Sequence, residues 1–346
     1  MSTPPKRTQA PPSPFRLRDG LKILGIALLV ALGVRTVILE GFRIPTESME
    51  KSLLVGDFVL VSKVHYGARL PMTIGVPLTN WYLPDVELPY LRLPGFSDIK
   101  RGDAIVFNYP VEMHPVDRKQ HYIKRVVALP GDSIALHDKQ LYVNGSHVPL
   151  SEAMQQRWIA SVSSSMTFPF DSIRALGASQ VSPYGRARDR VSFEATPTVA
   201  DVVASWSTVD SVEPYMQSLG IRIFPPGSGF DRDHYGPIRV PARGDTLTLS
   251  GENWLMYRDL VRRFEGHEAR FLPDGTIEID GERRTTYVVE QDYYFVLGDN
   301  RDSSVDSRVW GFVPMTHVVG KAVLVYFSWE AEKRRVRSER LFKGIE

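Results

Sequence analysis

The strongest feature of the hydrophobic pattern is an apolar run near the start of the chain. It extends from Leu21 to Leu39, and two cations, Lys22 and Arg35, interrupt it within about one turn of either end. About 20 apolar residues suffice to cross a bilayer as a helix. We therefore predict one transmembrane anchor helix over residues 19–39.

The residues before this run indicate its orientation. Residues 1–18 are rich in Pro, Ser and Thr, which predicts a disordered cytoplasmic tail. By the positive-inside rule, the cations on this side keep it in the cytoplasm and export residues 40–330 to the periplasm. Because no Ala-x-Ala-like site follows Leu39, a cleaved targeting peptide is a weaker alternative, as is a buried core helix. The cations are Lys6, Arg7, Arg16, Arg18 and Lys22.

Beyond the anchor, one short pattern recurs four times: Gly-Asp followed by alternating apolar residues. Gly-Asp suits a tight turn, and period-two apolarity suits a strand that leaves the turn. Asn-Gly and Asp-Gly pairs add hairpin signals between short β-rich runs. The exported part is therefore predicted to be mainly β. The pattern begins at Gly56, Gly102, Gly131 and Gly244.

Two stretches interrupt this pattern and are predicted to be insertions. Residues 66–100 are rich in Pro and aromatic side chains, whereas residues 151–240 mix helical and loop character, which predicts an inserted α+β cap region. Helical spacing recurs at 253–264. The basic C-terminal tail, residues 331–346, is expected as a solvated helix or a frayed end. Three aromatic residues of the first insertion suit either the membrane interface or a core: Trp81, Tyr82 and Phe96.

Composition excludes several classes of function. The 42 Lys and Arg residues against 40 Asp and Glu residues give a formal net charge of +2, which argues against a nucleic-acid-binding protein. The chain has no cysteine, so disulfides, thiolate metal sites and a cysteine nucleophile are excluded. A length of 346 residues with 43% hydrophobic content supports one large domain or two modest ones.

The first candidate for chemistry is Ser48, which lies about nine residues beyond the predicted anchor. A turn over residues 45–48 that begins a short helical segment is the plain interpretation, and a serine there is ordinarily a cap. The segment by itself leaves both interpretations open.

The second candidate is Lys124, which Arg125 follows in an apolar stretch. Neighbouring side chains of a strand point to opposite faces, so one of these cations must face inward if one face is core. The alternative places both at an edge of the sheet. A role as base requires burial to lower the pKa of Lys124 from about 10.4 toward 7.

The third candidate is a dense polar run over residues 298–311 that follows an apolar strand. It carries too many hydrogen-bonding side chains for an ordinary connector, although a solvated loop is the plain alternative. Asp299 and Asn300 in this run suit a scaffolding role better than chemistry.

Together these segments closely resemble the type I signal peptidases. Each matching segment alone is moderately specific, but four in the family's order, after an anchor in the family's position, are very specific. The four segments are Ile44–Met49, Arg101–Phe107, Tyr122–Asp132 and Gly298–Gly311. The resemblance covers about residues 40–105, 120–150 and 230–330.

The resemblance implies a serine endopeptidase with a signal-peptidase-type β catalytic domain and no cofactor or metal. Ser48 would be the nucleophile and Lys124 the general base. The Ser48 N–H and the Thr46 hydroxyl would hold the oxyanion. Three further residues would support the site, the first by orienting the lysine and the others as an ion pair: Ser304, Asp306 and Arg308.

The implied partners are the signal peptides of exported preproteins and the lipid bilayer of the bacterial inner membrane. The peptide would bind extended, as an added strand. Shallow pockets would select small residues at the first and third positions before the cut, as in Ala-x-Ala sites. The third-position pocket would be lined by Phe42, Ile44, Val59 and Ile123. Nearer the first position would lie Met49, Leu53 and Tyr122, with Pro45 beside the nucleophile.

Three other functions remain as alternatives. Self-cleaving repressors share a related β fold and a Ser/Lys dyad, but they carry a DNA-binding domain and no anchor. A catalytically idle envelope adaptor on the same fold would be marked by loss of Ser48 or Lys124, and both are present. A metal hydrolase would need further ligands beyond His114, Asp117 and His121, which share one loop.

Overall fold

The computed structural model describes residues 17–75, 79, 81–163, 167–185, 189–217 and 223–345. Most of the predicted cytoplasmic tail lies outside these residues. A long helix, α1, begins at Leu17 and ends at Val37. Its residues 19–37 are apolar and long enough to cross a membrane, and they are not buried against the rest of the chain.

Short strands dominate the described part of the chain, and the predicted mainly β fold is confirmed. Its first strands are β1 Leu39–Arg43, β2 Asp57–Ser62, β3 Thr73–Gly75, β4 Tyr82–Glu87, β5 Ala104–Asn108, β6 His121–Ala128, β7 Ser133–His137, β8 Gln140–Val143, β9 Ser146–Val148, β10 Gln156–Val162, β11 Ser179–Tyr184 and β12 Arg190–Ala195. They are followed by β13 Val209–Pro214, β14 Tyr235–Arg239, β15 Thr246–Thr248, β16 Ala269–Phe271, β17 Ile277–Ile279, β18 Glu282–Arg284, β19 Thr286–Val288, β20 Tyr293–Leu297, β21 Val313–Pro314, β22 Val318–Glu330, β23 Arg335–Val336 and β24 Lys343–Gly344.

The remaining helices are short. These helices are α2 Phe170–Ala175, α3 Pro197–Ala204, α4 Trp254–Asp259 and α5 Ser307–Trp310. A π-helical turn, Leu260–Phe264, extends α4, so the helical spacing predicted at 253–264 is confirmed.

The largest sheet contains Lys124, which lies in β6. It is antiparallel and runs in the order β1-β2-β22-β5-β6-β20-β21, with β23 and β24 also paired to β22. All five residues of β5 are buried. Ala104 and Val106 pack into one apolar cluster and Ile105 and Phe107 into another, because successive side chains of a strand point to opposite faces.

Each of the four Gly-Asp pairs forms the same turn. The glycine has a φ between +86° and +92°, a region that disfavours residues with a side chain. The aspartate carboxylate accepts a hydrogen bond of 2.7–3.0 Å from the backbone N–H three residues earlier. Each carboxylate also pairs with a cation. Three of these cations come from distant parts of the chain, so those turns tie strands together, whereas Arg239 lies six residues before Asp245. The pairs are Asp57–Arg340, Asp103–Lys321, Asp132–Arg101 and Asp245–Arg239.

The second interrupting stretch contains a small α+β unit. Its sheet has the order β11-β12-β10-β13 and is separate from the main sheet. Helices α2 and α3 pack on it around an apolar cluster that includes Phe193, Ile173 and Val203. Thr196 caps α3, and Pro197 occupies its first turn, where a missing N–H costs nothing. We call this unit, residues 156–214, the cap.

The first interrupting stretch contains the two-stranded sheet β3–β4. Trp81 is 58% exposed and Phe96 is 68% exposed, so the core alternative is wrong for these two side chains. Tyr82 is half-buried, and the Arg118 guanidinium lies over its ring at 5.0 Å.

The C-terminal residues differ from the expected solvated helix or frayed end. β23 and β24 pair with β22, and a 3₁₀ turn lies between them. The buried Arg340 guanidinium forms an ion pair with Asp57 in the first Gly-Asp turn. A long-range ion pair therefore fixes a segment whose local composition suggests a solvated end.

Candidate active site

Ser48 lies five residues beyond the end of β1, in a 3₁₀ turn over Glu47–Met49. Thr46 precedes this turn in an extended conformation, and its side chain makes no capping hydrogen bond. The Thr46 and Ser48 hydroxyl oxygens are 3.5 Å apart. Ser48 is 8% exposed, whereas Thr46 is exposed, so the two hydroxyls lie at the boundary between solvent and core.

Lys124 lies in β6 and reaches the serine from 76 residues along the chain. Its Nζ donates hydrogen bonds to Ser48 Oγ at 2.7 Å and to the Ile123 carbonyl oxygen at 2.9 Å. Burial lowers the pKa of Lys124 to about 8, although the charges of Asp306 and Asp299 oppose this. The lowered pKa increases the fraction of the amine that is unprotonated near neutral pH, which favours a role as general base.

The polar run after β20 crosses over the turn that contains Ser48. The Asn300 N–H donates to the Ser48 carbonyl oxygen at 3.1 Å. A Cβ atom at Gly298 would collide with that same carbonyl oxygen and with Ser304. A glycine is therefore needed where the two segments touch.

Asp306 and Arg308 form a buried ion pair in this run. The guanidinium donates through Nε and through a terminal nitrogen to the carboxylate, both at 2.9 Å, and the Gly298 N–H donates to the same carboxylate at 3.1 Å. Burial raises the pKa of Asp306, but the charge and hydrogen bonds of Arg308, together with the Gly298 N–H and the Ser304 hydroxyl, outweigh it, and the net shift is downward. The pair remains ionised and fixes the shape of the loop.

Ser304 is buried beside this pair, but its contacts differ from the implied role. Its hydroxyl is close enough to Asp306 to add a small lowering of that pKa. Its Oγ has no partner of standard hydrogen-bonding geometry within the described residues. Orientation of Lys124 by Ser304 therefore stays a prediction.

Arg125, the neighbour of Lys124, is also buried, so neither cation lies at an exposed edge. Its guanidinium forms a two-bond ion pair with Asp299 at 2.8 and 2.7 Å and donates to the Gly102 carbonyl oxygen. Asp299 thereby neutralises Arg125 and leaves Lys124 without an ion-pair partner among the described side chains. This arrangement favours the low pKa of the lysine.

The residues expected to line the substrate pockets are brought together, with two exceptions. Six of them belong to or pack against one apolar cluster next to Ser48: Phe42, Ile44, Met49, Leu53, Val59 and Ile123. Tyr122 packs against a different cluster, although its ring centre is 5.6 Å from Lys124 Nζ. Pro45 is exposed beside the turn that contains Ser48.

Sequence reasoning missed the contribution of the cap. The Glu194 carboxylate of β12 is 0% exposed and accepts hydrogen bonds from Ser303 Oγ at 2.8 Å and from Asn300 Nδ2 at 3.1 Å. Gln155 pairs with the same loop through backbone bonds to Asp299 and Arg301. The sequence did contain a signal for this contact: Glu194 is a single carboxylate between the apolar residues Phe193 and Ala195 of β12.

The metal-hydrolase alternative gains no support. Asp117 Oδ2 accepts three hydrogen bonds, from the N–H groups of Met72 and Thr73 and from the Thr73 hydroxyl. Within the described ranges, no group of three His, Asp or Glu side chains is arranged to hold a metal ion.

Comparison with known proteins identifies the family. The family model described as "Signal peptidase, peptidase S26" matches residues 17–188 and 239–329. Signal peptidase I of Pseudomonas aeruginosa is 28% identical over 317 residues, 88% of this chain and 71% of that protein. Signal peptidase I of Buchnera aphidicola is 27% identical over 301 residues, 86% and 71%, and that of Helicobacter pylori is 26% identical over 341 residues, 92% and 90%. The chain therefore belongs to the signal peptidase family of serine endopeptidases.

Proposed function

We propose that this protein is a membrane-anchored endopeptidase that removes N-terminal signal peptides from exported preproteins by a Ser/Lys dyad mechanism. The observation that carries the proposal is the 2.7 Å hydrogen bond from a buried lysine with a lowered pKa to Ser48 Oγ. A serine that merely caps a helical turn needs no such partner. The names of the similar proteins supply the substrate class.

The reaction begins with proton transfer from the Ser48 hydroxyl to the neutral amine of Lys124. Ser48 Oγ forms a bond to the scissile carbonyl carbon, and the resulting lysine ammonium returns the proton to the leaving amine as the C–N bond breaks. The neutral lysine then takes a proton from a water molecule, which attacks the acyl-enzyme ester. As the ester bond breaks, the Lys124 ammonium returns this proton to Ser48 Oγ, which frees the signal peptide and restores the Ser48 hydroxyl.

The negative charge on the carbonyl oxygen needs hydrogen-bond donors during both attacks. The Ser48 backbone N–H and the Thr46 hydroxyl are the donors that we assign to this oxyanion. The Thr46 hydroxyl lies within reach of Ser48 Oγ at 3.5 Å. A threonine restricts its own χ1 rotamers more than a serine does, which favours one fixed direction for the donor.

The peptide binds between β1 and the first half of β6. β20 pairs with β6 from Arg125 onward, so no described strand pairs with residues 121–124 on that side. The rings of Phe42 in β1 and His121 in β6 have centroids 4.8 Å apart, so the two strands come close. An extended peptide placed along these edges sets alternate side chains against the apolar cluster, where shallow pockets favour small residues such as those of Ala-x-Ala sites.

The position of the site at the membrane agrees with this substrate. Ser48 follows α1 after one short strand, so the anchor holds the dyad close to the bilayer surface, where a signal peptide's cleavage region emerges. The cations before α1 favour a cytoplasmic N-terminus in the inner membrane and a periplasmic catalytic domain.

The decisive experiment uses the full-length protein in detergent with a preprotein peptide that contains an Ala-x-Ala site. We expect cleavage after the second alanine, and we expect it to be lost in Ser48→Ala. Thermal unfolding of the variant should match that of the wild type. Equal cleavage by both proteins would remove Ser48 from the mechanism, and no cleavage by the wild type would contradict the proposed substrate.

A further inference from the structure

A cavity of about 860 Å³ opens beside the last turns of α1. Leu32, Arg35 and Thr36 of the helix form part of its wall, and residues just before β6 form another part. This volume is within the range of ligand sites in proteins, roughly 300–1,000 Å³. Because α1 is the proposed membrane anchor, the cavity lies at the level where that helix leaves the bilayer.

The wall of this cavity is rich in positive charge. Its two carboxylates are already engaged: Glu40 pairs with Arg35 at 3.0 Å and with Lys63 at 2.8 Å, and Asp117 accepts bonds from nearby backbone N–H groups. Five cations line the cavity: Arg35, Lys63, Arg69, Arg118 and Lys119.

Three of these cations have neutral hydrogen-bond partners instead of a carboxylate within the described ranges. Arg69 donates to the Asn108 side chain and a backbone carbonyl oxygen, Arg118 donates to the Thr73 hydroxyl, and Lys119 contacts His317 at 3.1 Å. Burial, followed by the charge of a nearby arginine, lowers the pKa of Arg69 to about 10 and that of Lys119 to about 8. Desolvation of these cations costs free energy, and an anion bound in the cavity would offset part of that cost.

We propose that this cavity binds the phosphate group of an anionic glycerophospholipid. Arginine and lysine form charge-assisted hydrogen bonds with phosphate oxygens, and basic pockets beside membrane helices suit lipid headgroups. The acyl chains then lie along α1, whose apolar side chains are exposed. The inference rests on the proposed anchor but not on peptidase activity.

The test is native mass spectrometry of the full-length protein in detergent, titrated with dioleoyl phosphatidylglycerol or dioleoyl phosphatidylcholine. We expect retention of one phosphatidylglycerol with at least about tenfold preference over phosphatidylcholine, weakening with salt. Arg118→Gln should reduce that preference about 3- to 10-fold, and the double variant with Lys119→Met should reduce it further. The matched control is Arg262→Gln, an exposed arginine outside this cavity, which should retain the preference.

The outcomes separate the possible occupants. Equal retention of both lipids, or an unchanged preference in Arg118→Gln, would overturn the proposal. Displacement of the lipid by an equal concentration of inorganic phosphate would overturn the lipid as the source of the anion. Displacement by a cleavage-site peptide would assign the cavity to substrate instead. Thermal unfolding checks that the variants are folded. If the double variant does not fold, the single variant Arg118→Gln still tests the proposal, because Arg118 is only half-buried.

Discussion

Two buried lysines lie five residues apart, yet their surroundings give them different capabilities. Burial lowers the pKa of both Lys119 and Lys124 to about 8. Lys124 donates to a serine hydroxyl, whereas Lys119 contacts the ring of His317. A lowered pKa therefore does not identify a catalytic base, because the atom within hydrogen-bonding distance decides what chemistry the amine can perform.

The variant expected to have the largest effect on cleavage is Lys124→Arg. A guanidinium keeps the positive charge but cannot accept a proton near neutral pH, so we expect peptide cleavage to fall by at least about 10³-fold. The matched control is Lys321→Arg on β22, which keeps an ion pair with Asp103 outside the dyad and should retain activity. Substantial cleavage by Lys124→Arg would remove the lysine as base.

A second test concerns Thr46, whose hydroxyl oxygen lies 3.5 Å from Ser48 Oγ. Thr46→Val keeps the shape of the side chain and deletes the proposed oxyanion donor, so the rate should fall by about 10- to 1000-fold. Thr198→Val in the cap removes a hydroxyl whose partner is Glu152, and it should leave the rate near that of the wild type. An unchanged rate in Thr46→Val would leave the Ser48 N–H as the assigned donor.

The pH dependence of cleavage distinguishes the two lysines directly. Lys124 must be neutral to accept the proton, so kcat/KM should fall about tenfold per pH unit below its pKa of about 8 and level off above it. Lys119→Met should leave the midpoint of this profile in place, because that amine does not contact Ser48. A profile that stays flat down to pH 5 would contradict a titrating lysine base.

The smallest expected effect concerns the loop that touches the turn of Ser48. Glu194→Gln removes the charge that orders Ser303 and Asn300, so kcat should fall roughly 3- to 10-fold with KM nearly unchanged. Glu194→Asp should restore part of the loss, and Glu152→Gln in the same insertion serves as the control. An equal rise in KM would instead indicate that the cap binds substrate.

Much of the fold follows from local sequence. The Gly-Asp turns are encoded within a few residues, because the aspartate bonds to the N–H three residues before it and the glycine allows the positive φ. The apolar run of α1 and the helical spacing before Phe264 are local in the same sense. The C-terminal tail was misjudged because Arg340 finds its partner, Asp57, 283 residues away.

The candidate site divides in the same way. The sequence by itself determined which segments are candidates for chemistry, since Ser48, Lys124 and the run at 298–311 stand out by residue type and order. The tertiary structure decided that Lys124 reaches Ser48. It also decided that Asp299 pairs with Arg125 and not with Lys124, and that Glu194 binds the loop after β20 through Ser303. Desolvation and hydrogen-bond partners depend on which distant strands pack together, and residue spacing along a chain does not encode that packing.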